Sequence, residues 1–393
     1  MSTTAEQARA YRGPAVLSFG FRPFFLAGAA WAALAIALWL PMLVGRLTLP
    51  TAFAPLEWHV HELLYGYVPA VVAGFLLTAV PNWTGRLAVV GTRLLALFLV
   101  WLAGRLAILF SQALGPGLSA AIDLAFLAVL GAVIAREIIA GNDKRNLKVL
   151  IMVALLFTGN AVFHLEAGLK GSPHFGIRIG IAATVLLIML MGGRIIPSFT
   201  RNWLAKRGPG RLPVPFGRFD IVAMVMSGAA LAAWIAAPVN RVTAGLAVVA
   251  AVLNVWRLAR WAGDRTGAEP LVTVLHAGFA FIPLGFALVA LGILRPDVVT
   301  ATGAVHAWSA GAIGLMTLAV MTRASLGHTG RPLTATPAIQ IIYLAAGISA
   351  ITRIAAAFDL LREPMLHVSA TMWVVAFASF VIVFAPLLLR RRR

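Results

Sequence analysis

The stretch Leu56-Glu57-Trp58-His59-Val60-His61-Glu62-Leu63-Leu64-Tyr65-Gly66-Tyr67 opens an apolar segment that runs on to Pro81. The apolar residues show no period-two alternation, so the segment does not read as a strand. From about residue 60 to 81 it has the roughly 20 residues an α-helix needs to cross a bilayer core. Backbone in lipid must satisfy its own hydrogen bonds, which leaves a helix. Two histidines, two glutamates and two tyrosines crowd the mouth of this helix. Ionisable groups at the edge of a membrane span are costly and generally serve a function.

The rest of the chain repeats the pattern. Of its 393 residues, 61% are hydrophobic and 11% charged, more apolar surface than a soluble domain of that length can hide. About twelve runs of spanning length follow one another. The fold class is therefore all-α: a polytopic membrane protein of about twelve transmembrane helices, with residues 1–393 forming a single integral membrane domain. The net charge of +19 comes from Lys and Arg in short breaks between the runs, not from one dense patch. That distribution excludes nucleic acid as a partner and points to the lipid bilayer. The cations concentrate in the N-terminal segment, the C-terminal tail and alternate loops, which predicts cytoplasmic termini. Residues 1–20 then form a cytoplasmic N-terminal segment, 201–218 a central cytoplasmic linker rich in Pro, Gly, Lys and Arg, and 390–393 a cytoplasmic tail. The N-terminal segment carries Glu6, Arg9 and Arg12 and lacks the apolar core of a cleaved signal peptide.

The chain has no cysteine. Disulfides, iron–sulfur clusters, thiolate metal sites and covalent c-type haem are thereby excluded. Any metal must use His, Met, Asp, Glu, Tyr or backbone oxygen. Eight histidines are available: His59, His61, His164, His174, His276, His306, His328 and His367. The predicted orientation puts all but His276 and His328 toward the outer side. His59 and His61 are two residues apart, about 200° around a helix. They suit two different sites, one on each face, better than two ligands on one metal; the alternative is a pair of interfacial histidines bonded to loops. His276 lies within the ninth run, where it is either a neutral histidine bonded to a neighbouring helix or a ligand or proton relay. Gly278 and Gly285 beside it permit close approach of a bulky group. His328 lies in a Gly-rich corner, suited to a propionate, a phosphate or an anionic lipid, or to simple capping.

Runs two, six and ten each begin near a histidine, at His61, His174 and His306. Each closes in a polar, arginine-containing corner, with Arg86, then Arg194 and Arg201, then Arg323 and Arg331. Recurrence every four helices suggests three four-helix pseudo-repeats, although any cytoplasmic helix end is rich in Arg and Thr. Arg105 near the end of the third run and Asp123 near the start of the fourth fall at similar depth across the turn Gly115-Pro116-Gly117. They are expected to form a structural ion pair.

Several blocks together resemble one family. They are Trp58-His59-x-His61-Glu62, Pro81-Asn82-Trp83-Thr84-Gly85, Gly193-Arg194-x-x-Pro197-x-Phe199-Thr200-x-Asn202, and the long segment from His306 through Met321-Thr322-Arg323-Ala324-Ser325-Leu326-Gly327-His328-Thr329-Gly330-Arg331. The chain is similar to the NnrS family over nearly its whole length. The resemblance implies a bacterial inner-membrane protein of nitric-oxide metabolism or defence that contains haem, of the non-covalent b type, and copper. Carried onto this sequence, the candidate metal ligands are His59, His61, His276, His306 and His328. Arg194, Arg323 and Arg331 join them as cofactor-binding candidates. By analogy with the catalytic subunits of haem–copper oxidases, which share twelve helices, a pseudo-threefold plan and a His-x-His helix, haems would stand between helices. If the protein reduces NO to N2O, it needs protons and a still unknown electron donor. Glu62 and Tyr65, with Glu166 nearby, would then be proton carriers. The alternatives are a non-catalytic protein that binds or delivers NO, haem or metal, and a secondary transporter.

Overall fold

The computed structural model describes residues 7, 10–359 and 361–391. Glu6, Arg9 and the rest of 1–6 and 8–9 in the expected N-terminal segment lie outside the described residues, as do 392–393 of the expected tail. Among the described residues there is no strand. Twelve helices are long and apolar enough to cross a membrane. They are α1 (Phe21–Leu43), α2 (Pro55–Thr84), α3 (Thr92–Leu109), α4 (Pro116–Ala140), α5 (Lys144–Leu169), α6 (His174–Leu204), α7 (Arg218–Ala236), α8 (Arg241–Ala259), α9 (Pro270–Leu294), α10 (Thr302–His328), α11 (Pro337–Ala357) and α12 (Arg362–Leu389). The chain is an all-α, multi-pass membrane protein.

Three helices differ from the rest in burial. The most apolar windows of α2, α6 and α10 are 83%, 67% and 78% buried, whereas no other span exceeds 50%. These are the three helices that the sequence sets four apart. A lipid-facing helix keeps one stripe against protein, while a helix covered on all sides can carry polar groups only where partners meet them. Two of the three, α2 and α10, also contain a widened π-helical turn, at Glu62–Tyr67 and Ala307–Ile313, each directly after a histidine. Such turns leave backbone groups without their regular partners and recur at functional sites.

The sixth and tenth helices run on through their arginine-containing corners to Leu204 and His328. The polar residues there bond within the helical frame and do not end it. Thr329 Oγ1 donates to the Ser325 carbonyl at 2.6 Å, Thr322 Oγ1 to that of Ala319 at 3.1 Å, and the Arg323 guanidinium sits 3.9 Å over the Phe199 ring. Residues 201–204 of the expected linker are therefore helical. The remainder is tied down: Arg201 donates to the Pro213 carbonyl at 2.9 Å, Val214 N to that of Arg260 at 3.0 Å, and Arg211 pairs with Asp264.

The chain forms two compact units, Met1–Ala183 with Ala324–Arg331 and Phe377–Arg393, and Thr184–Arg323 with Pro332–Ala376. In the first, α1 packs on α2, α3 on α4, and α4 on both α2 and α5. A Cβ on Gly74 would fall 2.6 Å from the Phe25 ring, so glycine there sets how closely α1 approaches α2. In the second, α7 packs on α8, α8 on α9, and the π turn of α10 on α9 and α11. The Trp308 indole lies against Gly285 and donates to the Ile282 carbonyl at 3.1 Å.

Candidate metal centre

In the first unit four helices deliver polar side chains to one buried point. α2 supplies His61 and Glu62, α3 Arg105, α4 Asp123, and α5 Asn160 and His164. His61, Glu62, Arg105, Asp123 and Asn160 are all buried, and the His164 side chain is 7% exposed. Two glycines make room. A Cβ on Gly66, in the π turn, would collide with Arg105 Nη1, and one on Gly104 would lie 3.1 Å from Asp123 Oδ1. Asn160 and His164 are four apart on α5 and so share a face.

The expected Arg105–Asp123 pair is present, and it is part of a larger arrangement. Arg105 Nη2 pairs with Asp123 Oδ1, and Nη1 donates to Glu62 Oε1 at 2.6 Å. Glu62 Oε2 accepts from the Trp31 indole of α1 at 2.6 Å. The other oxygen of Asp123, Oδ2, is approached by His61 Nε2 at 3.2 Å, His164 Nε2 at 3.0 Å and Asn160 Nδ2 at 2.7 Å. Asn160 Oδ1 stands 3.2 Å from His61 Nε2.

His61 decides what this arrangement asks for. Its Nδ1 faces Glu62 Oε1 at 3.0 Å, and its Nε2 faces the oxygens of Asp123 and Asn160. All three are acceptors. A neutral imidazole carries one N–H and satisfies one side. With the Nδ1 proton directed to Glu62, the Nε2 lone pair points at carboxylate and amide oxygens. Such a contact requires a positive charge between them, either a second proton on the ring or a metal cation. The charges agree. One arginine faces two carboxylates, so with neutral imidazoles the cluster is one positive charge short, in surroundings where an uncompensated charge is expensive.

The donor set fits a metal. One ligand atom each from His61, Asp123 and His164 lies within 4.8 Å of the others. The two contacts that end on Asp123 Oδ2, at 3.2 and 3.0 Å, are close to the roughly 3.3 Å edge of a tetrahedron built on metal–ligand bonds of about 2.0 Å. A carboxylate behind a histidine ligand, as Glu62 stands behind His61, is the usual outer support that fixes which ring nitrogen meets the metal.

Of the predicted ligands, His61 lies in this cluster. His59 faces the other way, its ring stacked on Trp39 of α1 at 4.1 Å, as the two-residue spacing leads one to expect. His306 Nδ1 is 2.7 Å from the Thr302 carbonyl, one turn back on its own helix. His328 lies against the rings of Phe19 and Phe21, with centroids 6.3 and 5.5 Å away. His276 is buried, its Nε2 2.8 Å from Thr200 Oγ1 and its Nδ1 without a hydrogen-bond partner, facing Gly263. Arg194 and Arg331 are exposed. Tyr65 donates to the Gly176 carbonyl at 2.6 Å, and Glu166 accepts from Gly176 N at 2.8 Å. Asp123 as a ligand, Asn160 and His164 were not picked out from sequence. The available signal was the Asn160–His164 spacing at a depth similar to Asp123.

A comparison with curated proteins finds no match. A family model described as NnrS protein matches residues 15–392, nearly the whole chain. With that match over nearly its whole length and twelve helices apolar enough to cross a membrane, the chain belongs to the NnrS family.

Proposed function

We propose that this protein is a metal- and haem-binding inner-membrane protein of the bacterial nitric-oxide response, with both termini cytoplasmic, and that His61, Asp123 and His164 hold its non-haem metal, copper. The observation that carries the reading is the convergence of His61 Nε2 and His164 Nε2 on one oxygen of a buried carboxylate whose other oxygen is held by an arginine. Copper accepts imidazole and carboxylate donors. When bound, it would supply a one-electron redox centre and the missing positive charge.

For haem, the His276 side chain offers a buried imidazole nitrogen with no hydrogen-bond partner; Gly263 packs directly against it, so a haem there would require that segment to move. His59, His306 and His328 would be further candidates to hold haem. Arg194, Arg323 and Arg331 are candidates for the propionates, where a guanidinium pairs well with a carboxylate.

Two readings of the chemistry divide on Glu62. If the protein reduces NO to N2O, Glu62 and Tyr65 carry protons toward the centre. If it binds NO, haem or metal without turnover, Glu62 is an orienting group. The placement of Glu62 favours the second: Arg105 and His61 engage one of its oxygens and Trp31 the other. Purified protein made under haem- and copper-replete conditions should show a Soret band and copper by elemental analysis. His61→Ala and His164→Ala should each lose the copper and keep the Soret band. A haem-free protein, or copper retained in both variants, overturns the assignment. Anaerobic NO consumption with an artificial reductant then separates turnover from binding.

A further inference from the structure

The metal centre just proposed has a fourth donor on the page, and we infer that Asn160 is its fourth ligand, closing the site so that a bound metal has no position left for NO. The inference rests on that proposal and adds to it a prediction about what the metal can do.

Three observations carry it. First, Asn160 Oδ1 stands 3.2 Å from His61 Nε2, the same separation as Asp123 Oδ2. An amide oxygen and a carboxylate oxygen thus stand at the same distance from one ring nitrogen. Second, the amide is held in that orientation. Its Nδ2 donates to Asp123 Oδ2 at 2.7 Å, which turns Oδ1 toward His61 Nε2; the reversed amide would lose that donor and set an oxygen against the carboxylate. Third, the approaches are walled by rings. Phe53 stacks on His61 with centroids 5.8 Å apart and meets His164 edge-on at 6.0 Å. Phe163 packs against His61 at 5.0 Å. Asn160 itself is 1% exposed.

A metal site with four protein donors and no solvent face holds its ion, whereas a catalytic site keeps a position open. In this site the donors are two imidazole nitrogens, a carboxylate oxygen and an amide oxygen. Glu62 and Arg105 behind them are occupied with fixing those ligands. The ion balances the cluster's charge and joins α2, α4 and α5. NO chemistry, where it occurs, is then done elsewhere in the protein.

The test uses full-length protein in detergent, stripped with chelator and loaded with cobalt(II) alone. Four-coordinate cobalt(II) absorbs several-fold more strongly in the visible than the five- or six-coordinate ion. Wild-type protein should give the strong bands, and neither azide nor anaerobic NO should alter them. Asn160→Ala should weaken the bands several-fold and make them respond to azide. If Asn160→Ala fails to fold, the wild-type response to azide and NO decides alone. Wild-type bands that shift with azide or NO, or an Asn160→Ala spectrum identical to wild type, overturn the closed site while leaving a metal at His61, Asp123 and His164. Failure of the wild type to take up cobalt(II) at all overturns the metal centre itself.

Discussion

The helix pairs α3–α4 and α7–α8 each contain an arginine buried against an aspartate, yet only the first looks like a site. In α7–α8, Arg257 Nε pairs with Asp220 Oδ1 at 3.0 Å, and Arg260 Nη1 reaches Oδ2 at 3.4 Å. Gly217 N also donates to that Oδ2 at 3.0 Å, and Arg257 lies over the rings of Trp261 and Phe279. Every acceptor oxygen is filled by a cation or a backbone N–H, and two arginines face one carboxylate. In α3–α4, Arg105 fills one oxygen of Asp123, and a second carboxylate, Glu62, takes its other arm. The remaining oxygen of Asp123 is left to two histidines and an amide. A buried ion pair alone says little about function. One that leaves a carboxylate oxygen to imidazoles and an amide can take up a proton or a cation.

The largest effects should come from cutting the two aspartates. Asp220→Ala strands the buried Arg257 and should cost about 3–5 kcal/mol, read as a fall in the unfolding midpoint in detergent; Asp123→Ala leaves Arg105 its contact with Glu62 and should lower the midpoint less. The contrast lies in the metal: Asp123→Ala should abolish copper binding, and Asp220→Ala should leave it intact in whatever protein folds. Equal metal content in both variants would erase the distinction between the two pairs.

Below these comes the support behind the ligands. Glu62→Gln keeps the shape and removes the charge that fixes the His61 ring. Metal affinity measured by competition with a chelator should fall about 10–100-fold. His59→Ala, on the opposite face of α2, should leave that affinity unchanged. A matching loss in His59→Ala would show that the two faces of the helix are not independent.

The sequence carried some of this contrast and lacked the rest. The twelve spans were legible because lipid demands long apolar runs, and each predicted run has its helix. The Arg105–Asp123 pair was legible because a three-residue Gly-Pro-Gly turn forces its helices to be neighbours. The two faces of His59 and His61 followed from helix geometry alone. Asn160 and His164 were not legible as partners of Asp123, since nothing local says that α5 packs on α4 with this face inward. The π turn at Glu62–Tyr67 was also hidden, because its extra residue per turn is set by what surrounds the helix. The last turns of α6 and α10 were hidden for a related reason: threonines and arginines that usually mark a water-facing end here bond inside the structure.

The smallest expected effect tests whether that π turn belongs to the site. Trp101 Nε1 of α3 donates to the Gly66 carbonyl at 2.9 Å, within the turn. Gly66 is also where Arg105 passes, since any Cβ there would meet its guanidinium. Trp101→Phe puts a smaller ring in a buried place and removes one buried hydrogen bond, which should cost about 1 kcal/mol of stability for the bond and somewhat more for the lost volume. If the turn merely accommodates packing, that is the whole effect, and metal affinity stays at the wild-type value. If the turn positions Glu62 and Arg105, affinity falls together with stability, and Gly66→Ala, which displaces the guanidinium directly, lowers it further. An affinity unchanged in both variants would detach the π turn from the metal centre and leave the comparison between α3–α4 and α7–α8 resting on the imidazoles alone.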